Sequence, residues 1–237
     1  MTFSLVARDE PTGRIGIGIA SCVLAVGARC TFVRTNVGAI ASQALTNPYW
    51  GPRGLALLAA GADAANTARM LAAADEGRDL RQLIVMDREG RFAAHTGARC
   101  KPWCGHRIGP DWAVAGNILA GEAVLAAMAE ALESNREEPL SRRLIAALKA
   151  GEAAGGDTRG RQSAALLVHD QEDYALYDLR IDDHADPLTE LARLEAKARE
   201  RAIHVRHVLP SRDMPHGLTG DAEIEAAIAA SIKSGYE

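Results

Sequence analysis

Seven consecutive residues, Ile15-Gly16-Ile17-Gly18-Ile19-Ala20-Ser21, set β-branched side chains against the smallest ones available. Strict alternation of this kind selects an extended strand. Glycine inside a strand costs stability, so its use here implies that another chain segment or a ligand comes close. Upstream, Phe3, Leu5 and Ala7 alternate with Thr2, Ser4 and Val6, which reads as a partner strand over Thr2–Arg8. Between the two, Glu10-Pro11-Thr12-Gly13 supplies turn chemistry, with Pro presetting φ and Gly allowing a positive one. An N-terminal hairpin follows. Its strands are small or apolar on both faces, so both faces need cover.

The rest of the chain supplies that cover. Further strands are predicted over Thr31–Arg34, 37–43, 82–87, 91–96, Trp112–Asn117, 162–169 and 174–181, with Arg88-Glu89-Gly90 turning a second hairpin. Pro52 suits the first position of a helix over 53–60, and Asp63 suits the cap of one running to about residue 74. Val124, Leu125, Met128 and Leu132 form one helical stripe over Glu122–Ser134, and Leu140, Leu144 and Leu148 form the next, which Gly155-Gly156 stops. The order ββ, ββ, αα, ββ, β, αα, ββ does not suit the βαβ crossovers of a doubly wound sheet. It predicts an α+β fold: a four-layer αββα sandwich of two antiparallel sheets with helices outside. Aromatics make up only 4% of the 237 residues, so the core must come from Ala, Leu, Ile and Val.

The sandwich is expected to occupy residues 1–187, with 188–237 as a helical C-terminal extension. Asp186-Pro187 starts a helix with Leu188, Leu191, Leu194 and Ala198 on one face. A final stripe of Ile224, Ile228 and Ile232 would leave an apolar patch if uncovered, and a homodimer is the expected solution.

The net charge of −4 comes without a basic run, which argues against a nucleic-acid partner. Residues 1–20 lack a basic and then apolar leader, and no stretch is long and apolar enough for a membrane span. A cytoplasmic location and no membrane partner are expected by default. Cys22, Cys30, Cys100 and Cys104 then read as free thiols.

Thr2 follows the initiator Met, a position that methionine aminopeptidase can expose. A free threonine α-amine titrates at about 7.7–8.0 and can serve as base for the hydroxyl of its own residue. Taken alone, a Met-Thr start means little. A second feature is Gly155-Gly156-Asp157-Thr158-Arg159-Gly160-Arg161-Gln162-Ser163, more elaborate than a helix-to-strand turn requires. A third is Gly116-Asn117 at the end of a strand, where an amide N–H suits an oxyanion as well as a turn. His95-Thr96-Gly97 followed by Cys100-Lys101-Pro102-Trp103-Cys104-Gly105-His106 invites a zinc reading, but the C-x₃-C pair has no second pair. No metal and no cofactor are expected, and Pro102-Trp103 reads as a loop with an aromatic anchor.

Thr2-Phe3-Ser4-Leu5-Val6-Ala7-Arg8-Asp9, Gly16–Ser21 (16–21), Ser42-Gln43-Ala44, Tyr49-x-Gly51-Pro52-Arg53-Gly54, His95-Thr96-Gly97, Gly116-Asn117 and the 155–165 motif together resemble the bacterial family labelled domain of unknown function 1028. The resemblance covers about residues 2–187. The chain departs from it at Cys104, where a small residue is expected, and in a longer tail. That family is similar to the N-terminal-nucleophile (Ntn) hydrolases. The resemblance implies an αββα sandwich whose first strand carries the nucleophile, here Thr2, and implies no substrate. On that reading Thr2 attacks a small-molecule amide and Ser21 bonds the α-amine. Asn117, or backbone N–H groups near Ser42-Gln43, stabilise the oxyanion. Gln43, His95, Asp157 and Gln162 orient the substrate. The alternative is a non-catalytic binding or scaffold domain that keeps the Ntn fold.

Overall fold

A computed structural model describes residues 2–235. The N-terminal hairpin pairs β1 (Thr2–Arg8) with β2 (Ile15–Ser21) in the register Thr2↔Ser21 to Arg8↔Ile15. Each strand gains a second antiparallel neighbour: β2 pairs with β9 (Ser163–His169), and β1 pairs with β8 (Trp112–Asn117). With β7 (Gly105–Ile108) and β10 (Ala175–Ile181) at its edges, the sheet runs β10-β9-β2-β1-β8-β7. A second antiparallel sheet runs β3-β4-β5-β6, formed by Thr31–Arg34, Gly38–Ala44, Arg81–Asp87 and Phe92–Thr96.

The period-2 rule sorts every central strand into two faces. Val6, Ile17, Ala41, Ile84, Met86 and Ala115 meet between the sheets. Phe3, Leu5, Val114 and Leu166 point the other way, onto α4 (Glu122–Ser134) and α5 (Leu140–Ala153). On the far side, Ile40, Leu83 and Val85 pack under α2 (Trp50–Ala59) and α3 (Ala64–Ala73). The layers are therefore α, β, β, α, as the doubly covered strands require.

The glycines of β2 have their reason here. A Cβ on Gly16 would lie 2.4 Å from Leu144 Cδ1, and one on Gly18 would lie 3.2 Å from Leu148 Cδ1. The segment that needs to come close is thus α5, whose leucines seat over the bare backbone. Each fully buried leucine is worth about 1.5–3 kcal/mol, more than the cost of about 0.5–1 kcal/mol for a strand glycine.

Several local expectations change. The lone strand 112–117 has a partner in β7, a four-residue edge strand whose His106 and Arg107 are exposed, so it carries no apolar alternation. A helical turn, α1 (Gly27–Cys30), lies between β2 and β3. The first outer helix begins at Trp50, which makes Pro52 its third residue and not its first. That position still falls among the first four N–H groups that lack an intrahelical acceptor, so the ring costs no bond. Asp63 caps α3 as expected, accepting from Asn66 N at 2.7 Å.

Asp186 caps α6 (Pro187–Glu200), and Leu188, Leu191 and Ala198 enter the same core as α4 and α5. A 3-10 segment (Ala202–His207) then leads to α7 (Asp221–Ser234). His204 joins the two: one ring nitrogen meets Ser231 Oγ at 2.8 Å and the other meets Arg199 O at 3.0 Å. Ile228 is buried and Ile232 stays 42% exposed, so part of the last stripe is covered by this chain itself. Among the described residues no helix is long and apolar enough to cross a membrane.

Candidate active site

The space between the sheets is apolar through its middle and polar at one end. On β1 the inward face runs Val6, Ser4, Thr2. Its neighbours end the same way: β2 at Ser21 after Ile17 and Ile19, and β8 at Asn117 after Ala113 and Ala115. Opposite them, β4 contributes Gln43 after Ala39 and Ala41, β5 contributes Gln82 before Ile84, and β6 contributes Thr96. Residues 2, 21 and 117 lie side by side in register, with Thr2 flanked by both partners.

Thr2 is 7% exposed, and its Oγ1 lies 3.1 Å from Ser21 Oγ. Its carbonyl accepts from Asn117 Nδ2 and Gln43 Nε2, each at 3.4 Å. Gln82, fully buried, ties these groups together. Its Nε2 lies within hydrogen-bond reach of Gly105 O (3.0 Å), Gly116 O (2.8 Å) and Thr96 Oγ1 (3.0 Å), three acceptors that share its two hydrogens. Its Oε1 accepts from Gln43 Nε2 (2.7 Å) and Asn117 Nδ2 (3.1 Å). The two carbonyls can only accept, which fixes the orientation of the Gln82 amide. That in turn requires both neighbouring amides to present their nitrogens. One acceptor is left over: Gln43 Oε1 is buried without a hydrogen-bond partner, beside the head of β1. Such an atom is costly unless a donor comes to it.

Thr2 and Asn117 open onto a cleft of about 610 Å³. Ala44, the last residue of β4, and Ile118, the residue after β8, stand at its wall with φ of +69° and +56°. A positive φ is unfavourable for any residue with a Cβ and most so for a β-branched one, and such strain gathers at functional sites. Cys30 and Cys100 also line the cleft. Burial pushes both thiols up from their ordinary value, so at neutral pH they stay protonated and are poor nucleophiles.

The sequence-derived residues divide in two. Thr2, Ser21, Asn117 and Gln43 come together. Asn117, expected as an oxyanion donor, spends both amide hydrogens on Thr2 O and Gln82 Oε1. Its geometry is that of a group positioning the Thr2 backbone. His95 lies elsewhere: strand alternation turns it to the helical side of β6, edge-on to Trp50 at 5.9 Å and bonded to Arg78 O. The inward residue of that motif is Thr96. Gln162 reaches the site only through its backbone, donating to Ser21 O at 3.0 Å, while its side chain binds Asp183. Asp157 is a loop clamp. It accepts from Cys22 N at 3.0 Å and Arg159 N at 2.9 Å and pairs with the Arg159 guanidinium at 3.2 Å. Gln82 and Thr96 were missed as site residues. The available signal was a lone amide at the head of the run Gln82-Leu83-Ile84-Val85-Met86, on the face of Ile84 and Met86.

Cys100 Sγ and Cys104 Sγ turn onto the carbonyls of Arg81 and Cys100. Among the described residues no three His, Cys, Asp or Glu side chains are grouped to hold a metal ion. Trp103 packs against the main core, as an aromatic anchor of its loop. Gly97 opens that loop against backbone: a Cβ there would sit 2.4 Å from Arg78 O. Gly97→Ala should therefore shift the loop and cost about 1–3 kcal/mol, read as a lowered melting temperature. An unchanged melt would show that the loop adapts freely.

Two antiparallel sheets between helical layers, with β1 central and Thr2 at the polar end, define a four-layer αββα sandwich. The profile of the family of unknown function DUF1028 matches residues 2–191, and the chain belongs to that family. The crystal structure of protein SPO2555 from Silicibacter pomeroyi, assigned to the same family, is 33% identical with a TM-score of 0.86, covering 93% of this chain and 96% of that one. Anbu (ancestral β-subunit) from Yersinia bercovieri is 12% identical over 92% of this chain and 100% of its own, with a TM-score of 0.38. No curated protein matches the chain.

Proposed function

We propose that the protein is an N-terminal-nucleophile amidohydrolase that acts on a small amide through Thr2 once Met1, which lies outside the described residues, has been removed. The observation that carries this reading is the Thr2 hydroxyl, 3.1 Å from Ser21 Oγ at the mouth of the cleft, on a strand held from both sides. Thr2 Oγ1 attacks the amide carbonyl and its proton passes to the α-amine of the same residue. The tetrahedral adduct collapses as that proton goes to the departing nitrogen, leaving an ester on Thr2. Water, deprotonated by the same amine, then attacks the ester, releases the carboxylic acid and restores the hydroxyl. Ser21 holds the hydroxyl, while Asn117 and Gln43 hold the backbone from which it projects.

Intact mass of the untagged chain gives the first test: it should lack one methionine. The trimmed chain should then hydrolyse members of an amide and lactam panel. Because the base must be unprotonated, kcat/KM should rise with pH through about 8, the range of a free α-amine. A chain that is trimmed yet inert across the panel would leave the scaffold reading in its place.

A further inference from the structure

The chain carries a net charge of −4, yet the wall of the Thr2 cleft has the opposite sign. Arg29, Arg99, Lys101 and Arg159 line it, and none of the described lining residues is Asp or Glu. Two of the four cations are already engaged: Arg159 pairs with Asp157, and Arg29 donates to Leu24 O at 2.9 Å. Arg99 and Lys101 are exposed and have no carboxylate partner among the described residues. They are nonetheless held in place through their loop. Arg99 N donates to Asp79 O at 2.7 Å, Cys100 Sγ to Arg81 O at 3.2 Å, and Lys101 O accepts from Ile118 N, the residue after Asn117, at 3.0 Å. Beside Thr2, Asn117, Thr46 and the two thiols, the rest of the wall is aliphatic, with Val23, Val26, Leu45, Pro48, Leu80 and Ile118.

A recess with one sign of charge and low-dielectric walls concentrates ligands of the other sign. An arginine fork beside a lysine suits the two oxygens of a carboxylate, and the aliphatic wall suits a short methylene chain. We propose that the substrate is a small aliphatic amide whose non-reacting end is a carboxylate, received by Arg99 and Lys101. This rests on the hydrolytic reading of Thr2 and adds the class of molecule hydrolysed.

The test uses the ω-amido acids from malonamate to adipamate, each against its uncharged diamide. Affinity is measured by calorimetry on the trimmed Thr2→Ala chain, which binds without turnover. Ammonia release is measured on the trimmed wild type. At least one amido acid should bind about tenfold more tightly than its diamide, as a charge-assisted contact provides. The double substitution Arg99→Ala with Lys101→Ala should bring the pair to parity. Both side chains are exposed, so the double variant should melt as the parent does. Equal affinities within every pair, no binding by any member, or a ratio that survives the double substitution would each overturn the proposal. Carboxylate-selective binding without ammonia release from any member would uphold the recognition and remove the hydrolysis. Release from amido acid and diamide alike, at equal affinity, would do the reverse.

Discussion

Thr2→Ala should lower kcat by about 10⁴-fold or more, the scale seen when the unit that supplies a nucleophile is removed. Alanine after methionine is still trimmed, so the α-amine remains while the hydroxyl is gone. The fold should barely register the change. Thr2 sits at the end of its strand, and the loss is one hydrogen bond to Ser21, worth about 1 kcal/mol. Thr2→Ser keeps the oxygen and should retain measurable turnover. An alanine variant as active as the parent would move the chemistry off this residue altogether, and the protonated cysteines of the cleft would be poor replacements.

Gln82→Leu should have the largest effect on stability. The substitution strands the carbonyls of Gly105 and Gly116 and the amides of Gln43 and Asn117, all of which meet at this one side chain. Each unsatisfied buried group costs about 1–3 kcal/mol, partly relieved by local shifts, so a loss of about 3–4 kcal/mol is expected. For a chain of this size that is roughly a 10 °C fall in melting temperature. Gln82→Glu separates shape from bonding: it keeps the acceptor but points a second oxygen at two carbonyls, and should melt no higher than the leucine variant. Either protein melting within about 2 °C of the parent would mean that the amide junction is not what joins the sheets at this end.

Much of this arrangement was legible from alternation alone. Ile15 to Ser21 dictates a strand covered on both faces, and the repeated pairing of strands dictates two antiparallel sheets. Thr2, Ser21 and Asn117 meet because three strands end on the same parity, which a one-dimensional pattern can express. The structure departs from the pattern where pattern yields to context. The His95-Thr96 pair invites a reading by chemical reactivity, but Phe92 fixes the inward parity of β6, and parity selects the threonine. Arg99 and Lys101 lie on an irregular loop, so no period relates them to the strands. Asp157 and Gln162 sit in a motif rich enough to suggest a substrate site, yet their bonds hold one loop to another. Asn117 is in the expected place with its donors already committed, and such commitments depend on neighbours 35 and 115 positions away.

The place of β1 between β2 and β8 also sets a schedule. Its hairpin partner is synthesised within 21 residues, but the other neighbour is complete only at residue 117, and the strand flanking β2 only at 169. At ribosomal rates of about 5–20 residues per second, roughly 6–23 s pass before Asn117 exists to close over the first residue. During that interval the amino end has one wall and not two. An enzyme that removed Met1 in that interval would work on an open strand end, and the pocket would then assemble around the trimmed end.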